Sequence, residues 1–403
     1  MRLILVNDVS TVRGGATKVA LQCLDASRDA GLTCAILVGD DGEGLKPRFA
    51  GIRTVALGER PLREGPAFGD ILAKNYNRRA HEAMEGLLLE SDEETVVHVH
   101  GWSQILSPSI FYALAKHEVK VIVTAHDFFL NCPNGGLINF HSGDVCDIKP
   151  LSAACLTTNC DKRNYFHKLW RFRRTLTQQG VGEEFWSRVN IVLAHENMEA
   201  HLRTGPLQHF TTLRTPTEPL TRAPVEAWRN RRTVFLGRMC WEKGVRTLAD
   251  ALNQTGRTAT LIGRGPLLAE MQRALPHCFV PGWLTDEEVT KIAGEARVFV
   301  MPSRMPEPYG LVAAEALMSG IPVIVSSNAL IAEEVEKHGA GLVFMSGDVA
   351  SLAEKLAQTD DDRLMRRLSE GALALGQHIA PGRAEWGRRM VDIYMGRGSF
   401  SEH

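Results

Sequence analysis

Short apolar runs alternate with longer amphipathic segments along nearly the whole chain of 403 residues. The apolar runs predict strands at Leu3–Val6, Cys34–Val38, Val96–Val99, Val119–Thr124, Ile191–Ala194 and Phe210–Leu213. A second set follows at Thr233–Leu236, Ala259–Ile262, Cys278–Val280, Val298–Met301, Val323–Val325 and Gly341–Phe344. Between them, helical spacing runs through Asp70–Leu89, Gly244–Leu252 and Thr285–Ala293. The last opens on Thr285-Asp-Glu-Glu288, a capping-box signature. Strand–helix alternation of this kind implies α/β architecture with parallel sheets and right-handed crossovers.

The alternation breaks at Thr215-Pro-Thr-Glu-Pro-Leu-Thr-Arg-Ala-Pro224, a polar, proline-rich stretch suited to a linker. It divides the chain into two comparable α/β halves. Ligands of open parallel sheets bind beyond the strand C-termini, so two such domains facing across a central cleft would share one site. The tail Arg383–Met395, with Trp386, Met390, Ile393 and Tyr394, reads as a final amphipathic helix. We therefore expect domains at 1–214 and 215–382, with a terminal helix in 383–403.

Composition narrows the classes. Apolar residues make up 44% and charged ones 23%, as in ordinary globular chains, and the net charge of −1 argues against a general nucleic-acid binder. No apolar run approaches the roughly 18–20 residues that cross a bilayer. The start, Met1-Arg-Leu-Ile-Leu-Val-Asn-Asp8, reads as a first strand rather than a secretory signal, so a cytoplasmic setting is expected.

Candidate chemistry concentrates after the strands of the second half. Met301-Pro-Ser-Arg-Met-Pro-Glu-Pro-Tyr-Gly310 runs from a strand into a helix that starts near Gly310 and ends at Gly320. Glu307 falls on the loop and Glu315 inside the helix. The first-turn amides lie between them, where an anion can be held. Carboxylates bind sugar hydroxyls, while free amides and the helix dipole suit a diphosphate. Phe235-Leu-Gly-Arg238 and Cys-Trp-Glu-Lys243-Gly make another strand, glycine turn and helix. Its Arg238 and Lys243 are placed to grip phosphates, solvated surface charge being the plain alternative. Leu261-Ile-Gly-Arg-Gly-Pro266 brings Gly263 to a strand end, as a tight turn or a close approach to a nucleoside.

In the first half, Gly14 and Gly15 follow the first strand, but the pattern is not G-x-G-x-x-G, so no dinucleotide fingerprint is supported. His98-Val-His-Gly-Trp102 and Val123-Thr-Ala-His126-Asp127 lie at strand ends. His98 and His100 share one strand face, without saying which face meets a ligand. His126 is the stronger candidate, since it follows a clear buried strand.

In this order, these motifs resemble retaining glycosyltransferases of family 4 (glycosyl transferases group 1), with the GT-B fold. The resemblance is most specific from Phe235 to Val325. It implies two Rossmann-like domains, a nucleotide-sugar donor (a UDP- or GDP-sugar) held by the second, and a final helix crossing back to the first. By position, Arg238 and Lys243 would neutralise the diphosphate, Glu315 would accept from the ribose, and Glu307 would face the donor sugar. The amides of Tyr309, Gly310 and Leu311 would meet sugar hydroxyls or phosphate. Gly14 and Gly15 match the N-terminal glycine loop, and His126 the histidine beside the reacting sugar. Cations and helix amides would stabilise the leaving group without a divalent metal, so no cofactor is expected for catalysis. His195-Glu-Asn197 departs from the family pattern, which often has Ser there.

Two features lie outside that pattern. Cys132, Cys146, Cys155 and Cys160 cluster without C-x2-C spacing, as a candidate structural zinc site or as reduced thiols. Next, six Lys or Arg fall between 162 and 174, with Tyr165, Leu169, Phe172 and Leu176 on one helical face. Such a helix, across 162–176, either packs on the core or lies on the inner face of an anionic membrane. The leading expectation is hexosyl transfer to a glycan or lipid-linked acceptor in polysaccharide or glycoconjugate synthesis. A nucleotide-sugar epimerase and a catalytically silent sugar-nucleotide binder are the alternatives.

Overall fold

A computed structural model of the chain describes residues 1–12, 14–46, 48–62, 75–91, 94–203 and 205–397. Seven strands form the first sheet: β1 (Arg2–Asn7), β2 (Thr33–Val38), β3 (Arg53–Ala56), β4 (Thr95–Val99), β5 (Lys120–Ala125), β6 (Asn190–Leu193) and β7 (His209–Thr212). They lie in the order β3-β2-β1-β4-β5-β6-β7, all parallel. Six more form the second sheet: β8 (Arg232–Leu236), β9 (Ala259–Ile262), β10 (Phe279–Gly282), β11 (Ala296–Met301), β12 (Val323–Ser326) and β13 (Gly341–Phe344). Their order is β10-β9-β8-β11-β12-β13, again parallel.

Parallel strands covered on both faces need continuous apolar runs, which is why the strands were legible. Leu3, Ile4, Leu5 and Val6 of β1 are all fully buried, each such side chain contributing about 1.5–3 kcal/mol of burial. The edge strand β3 escaped the sequence reading because its Arg-Thr-Val-Ala is mostly exposed and carries no apolar run. The helix expected over Asp70–Leu89 occupies Arg78–Leu88, capped by the Asn77 side chain; residues 70–74 lie outside the described part. The capping box at Thr285 and Glu288 is present, opening the helix Asp286–Gly294.

The chain divides into two compact units. The first comprises Met1–His141, Asp147–Leu213 and Arg383–His403; the second comprises Ser142–Cys146 and Arg214–Gly382. Within the first unit, the helix Arg383–Tyr394 packs on the helix Gly15–Asp29. Trp386, Met390, Ile393 and Tyr394 share a core with Val19, Ala20, Cys23 and Leu24. The second unit has its own core around Phe235, Leu248, Leu252, Val298, Ile324 and Phe344.

Each sheet reverses its strand order once near the middle, between β1 and β4 in the first and between β8 and β11 in the second. Loops leaving the C-terminal ends of such strand pairs diverge and leave a crevice, the general ligand position of open α/β sheets. Both sets of candidate residues emerge from these ends.

Candidate functional site

In the second unit, the turns after β8 and β11 meet. Gly244 opens the helix Val245–Thr255 at φ 68°, and a Cβ there would lie 1.8 Å from the carbonyl oxygen of Pro302. The Arg304 amide donates to the Glu242 carbonyl at 2.9 Å. This approach brings Lys243 against Glu307: Nζ donates to Oε1 and Oε2, both at 2.6 Å. Ser303, fully buried, donates its hydroxyl to Oε2 of the same carboxylate at 3.0 Å. Burial would raise the Glu307 carboxyl, but Lys243, Ser303 and Arg238 together hold it below the ordinary carboxylate value. The main chain of Glu307 is fixed as well, bridging Ala329 and accepting from the Leu330 amide at 3.3 Å.

Arg238 lies beside this pair, half exposed, with Nη2 3.5 Å from Glu242 Oε1. Gly310 caps the helix Leu311–Met318, whose first amides have no acceptor within the helix. Tyr309 turns its ring into the core and donates its hydroxyl to the Ile379 carbonyl at 3.1 Å. Glu315 is half-buried, one turn into that helix. Gly263 follows β9 with φ 140°; a Cβ would lie 1.8 Å from the Gly237 carbonyl oxygen. The close approach that requires this glycine is thus to the backbone after β8.

The second unit therefore gathers a carboxylate, two cations, a hydroxyl and a helix N-terminus at one strand-order reversal. Ser303 was missed in the sequence, where a lone serine in a turn carries no signal.

In the first unit, Gly14 precedes the helix Gly15–Asp29, and a Cβ at Gly14 would meet nothing within 4 Å. His126 follows β5, and its Nε2 lies 3.0 Å from His100 Nδ1, just beyond β4. The His100 ring is 4.0 Å from that of His98, centroid to centroid. His98 is held at both nitrogens, 2.7 Å from the Tyr394 hydroxyl and 2.7 Å from Thr124 Oγ1. Burial keeps the three imidazoles neutral, pushing His126 down to about 4, His98 to about 3 and His100 well below the ordinary value. The H-x-H spacing was visible in the sequence, but the hydrogen bond between His100 and His126 was not. His195 accepts from the Asn197 amide at 3.1 Å and so caps its own turn.

Among the described residues, the candidate zinc site at the four cysteines is not assembled. Cys146 belongs to the second unit, while Cys132, Cys155 and Cys160 are in the first. Among the described residues, the sets of ligand atoms close enough to share an ion do not include these cysteines. A cation of the chain's own stands there instead: Lys168 Nζ is 3.3 Å from Cys155 Sγ and 3.2 Å from Cys160 Sγ. An ammonium between two sulfurs repels a divalent ion.

The basic helix also differs from its expected face. Over Tyr165–Gln179 the buried positions are Lys168, Phe172, Thr175 and Gln178. Arg171 pairs with the fully buried Asp161 at 3.0 Å, and Arg174 donates to the carbonyls of Trp102, at 2.7 Å, and Ser103. Half of the basic residues are therefore turned inward onto acceptors. Phe166, Leu169 and Leu176 face solvent, Phe166 being 77% exposed. No described helix is long and apolar enough to cross a membrane.

Solved structures share this architecture. Sucrose-phosphate synthase from Thermosynechococcus elongatus matches with a TM-score of 0.70 over 98% of both chains, at 19% identity. Anabaena HepE in complex with UDP matches with a TM-score of 0.68 over 98% of this chain and 100% of that one, at 15% identity. The fold is that of the GT-B glycosyltransferases, two Rossmann-like domains in one chain. Residues 230–362, which hold Arg238, Lys243, Ser303, Glu307 and Glu315, match the family model for glycosyl transferases group 1. That match lies within the second unit. Glycogen synthase from Mycobacterium tuberculosis is 28% identical over 262 residues, 60% of each chain. A GDP-mannose-dependent alpha-(1-6)-phosphatidylinositol monomannoside mannosyltransferase from the same organism is 30% identical over 170 residues, 38% of this chain and 42% of that one. The aligned segments thus span 60% or less of these relatives.

Proposed function

We propose that the chain is a retaining glycosyltransferase that moves a hexosyl unit from a nucleotide-sugar to a glycan or lipid-linked acceptor. The observation that carries this reading is the Lys243–Glu307–Ser303 cluster beside Arg238 and the N-terminus of the helix Leu311–Met318. Breaking the sugar–phosphate bond builds negative charge on the departing diphosphate and positive character on the sugar. Arg238, Lys243 and the amides of Tyr309, Gly310 and Leu311 answer the first. Glu307, kept ionised, is suited to the second and to positioning sugar hydroxyls. Glu315 accepts from the ribose, and Gly263 keeps the neighbouring turn close. Because two cations and a helix terminus meet the diphosphate, the reaction is proposed to need no divalent metal.

Gly14, with open space beside it, and Gly15 supply backbone amides at a helix start, and His126 serves the acceptor side as a neutral group beside His100. The UDP bound by HepE agrees with a nucleotide-sugar donor. The phosphatidylinositol mannoside acted on by one relative agrees with a lipid-linked acceptor. With such an acceptor, the solvent face of Tyr165–Gln179 would rest on the inner leaflet.

The test is turnover of UDP- and GDP-sugars with candidate acceptors, followed by product analysis in the presence of a chelator. Wild type is expected to give product of retained anomeric configuration. Glu307→Ala and Lys243→Ala are expected to lose on the order of 100-fold or more, the scale of one lost electrostatic stabiliser. Product formed without acceptor would point to an epimerase. Donor binding with no turnover under any acceptor would point to a silent binder.

A further inference from the structure

Lys168 is 1% exposed, and its ammonium group donates to the sulfurs of Cys155 and Cys160. The Phe172 ring lies 6.0 Å from the ammonium. An ammonium buried against two sulfurs is the kind of setting in which a cysteine reacts as its thiolate. The surroundings single out Cys160. Its sulfur receives a second donor, Asn134 Nδ2 at 3.4 Å. The nearby Cys132 is placed as a thiol, giving its S–H to Asn134 Oδ1 at 3.3 Å. Asn134 is oriented by its other bonds, to the carbonyls of Ile138 at 2.8 Å and Cys160 at 3.3 Å. Donating from nitrogen and accepting at oxygen, it treats the two sulfurs differently.

We propose that Cys160 and Lys168 form an oxidation site at which a peroxide joins sulfur to nitrogen in a covalent sulfenamide. In the first step the Cys160 thiolate attacks a peroxide oxygen. The O–O bond breaks, sulfur is oxidised to the sulfenic acid, and hydroxide leaves. That step removes the charge which kept Lys168 protonated, and the ammonium passes a proton to the hydroxide. The neutral amine, already 3.2 Å away, then attacks sulfur; the S–O bond breaks and water leaves with a proton from nitrogen. In total, thiolate, ammonium and hydrogen peroxide give one S–N bond and two molecules of water. The link ties the loop at Cys160 to the helix Tyr165–Gln179, and a thiol or phosphine reverses it. Cys155, 3.3 Å from the same amine, is the competing partner through a Cys155–Cys160 disulfide.

The test treats the reduced full-length protein with hydrogen peroxide, blocks free thiols and maps peptides without reduction. The expected product is about 2 Da lighter than the reduced chain, joins Cys160 to Lys168, resists trypsin at Lys168 and reverts with a phosphine. Lys168→Arg is expected to leave Cys160 with oxygen adducts about 16 and 32 Da heavier, and Cys160→Ser to abolish the cross-link. The wild-type map decides even if a variant fails to fold. A Cys155–Cys160 disulfide alone, oxygen adducts alone, or an unmodified Cys160 would each overturn the proposal.

Discussion

A methyl group at Gly263 would sit 1.8 Å from the Gly237 carbonyl, whereas one at Gly14 would meet nothing within 4 Å. The two glycines therefore serve different ends. Gly263, at φ 140°, is required by the fold, because the backbones leaving β8 and β9 nearly touch. Gly14 has no such internal reason to lack a side chain, which fits space kept for a ligand. Gly263→Ala should cost on the order of 3 kcal/mol or more in a urea unfolding series, from clash and backbone strain. Gly14→Ala should stay within about 0.5 kcal/mol of wild type and yet weaken donor or acceptor binding at least tenfold. A Gly14→Ala variant with unchanged kinetics would remove that loop from the site.

The helix Tyr165–Gln179 shows how far pattern reaches at the level of elements. Its existence follows from the sequence, but its inward face does not. Apolar spacing pointed to Tyr165, Leu169, Phe172 and Leu176; the structure buries Phe172 but turns Leu169 and Leu176 outward. The reason is polar: Lys168, Arg171 and Arg174 find two sulfurs, the Asp161 carboxylate and backbone carbonyls in the interior. Partners so distant in sequence leave no periodic trace. The same holds for the His100–His126 bond, which joins turns after adjacent strands. The parallel strands, by contrast, announce themselves as unbroken apolar runs, and Arg238 and Lys243 beside glycines and Glu307 between prolines mark the strand ends. What remains outward on the helix is Phe166, Leu169 and Leu176 beside Lys162, Arg163 and Arg173. Replacing the three apolar residues with Ser should lower binding to anionic vesicles at least tenfold with little change in stability. Equal co-sedimentation of variant and wild type would dismiss the membrane contact.

Across the whole molecule, acid sensitivity should follow from the histidines. His98, His100 and His126 are neutral in the folded chain, with pKa values depressed by burial to about 3, well below normal, and about 4. The unfolded chain, with histidines near the ordinary value of about 6.5, binds more protons below that pH. Stability is therefore full above about 6.5 and falls as pH drops toward 4. Denaturant midpoints measured from pH 7 down to pH 4.5 should decline steadily, and less steeply in His126→Asn. A flat profile would mean that these imidazoles are not buried neutral.

The most direct test of donor binding is a thermal-shift panel of UDP-, GDP- and ADP-sugars against wild type, Lys243→Ala and Arg238→Ala. One nucleotide class should stabilise wild type by about 2.7 kcal/mol at roughly 100 times its dissociation constant, and both variants should lose most of that shift at the same concentration. Stabilisation undiminished in both variants, or none with any nucleotide-sugar, would contradict a diphosphate gripped by Arg238 and Lys243.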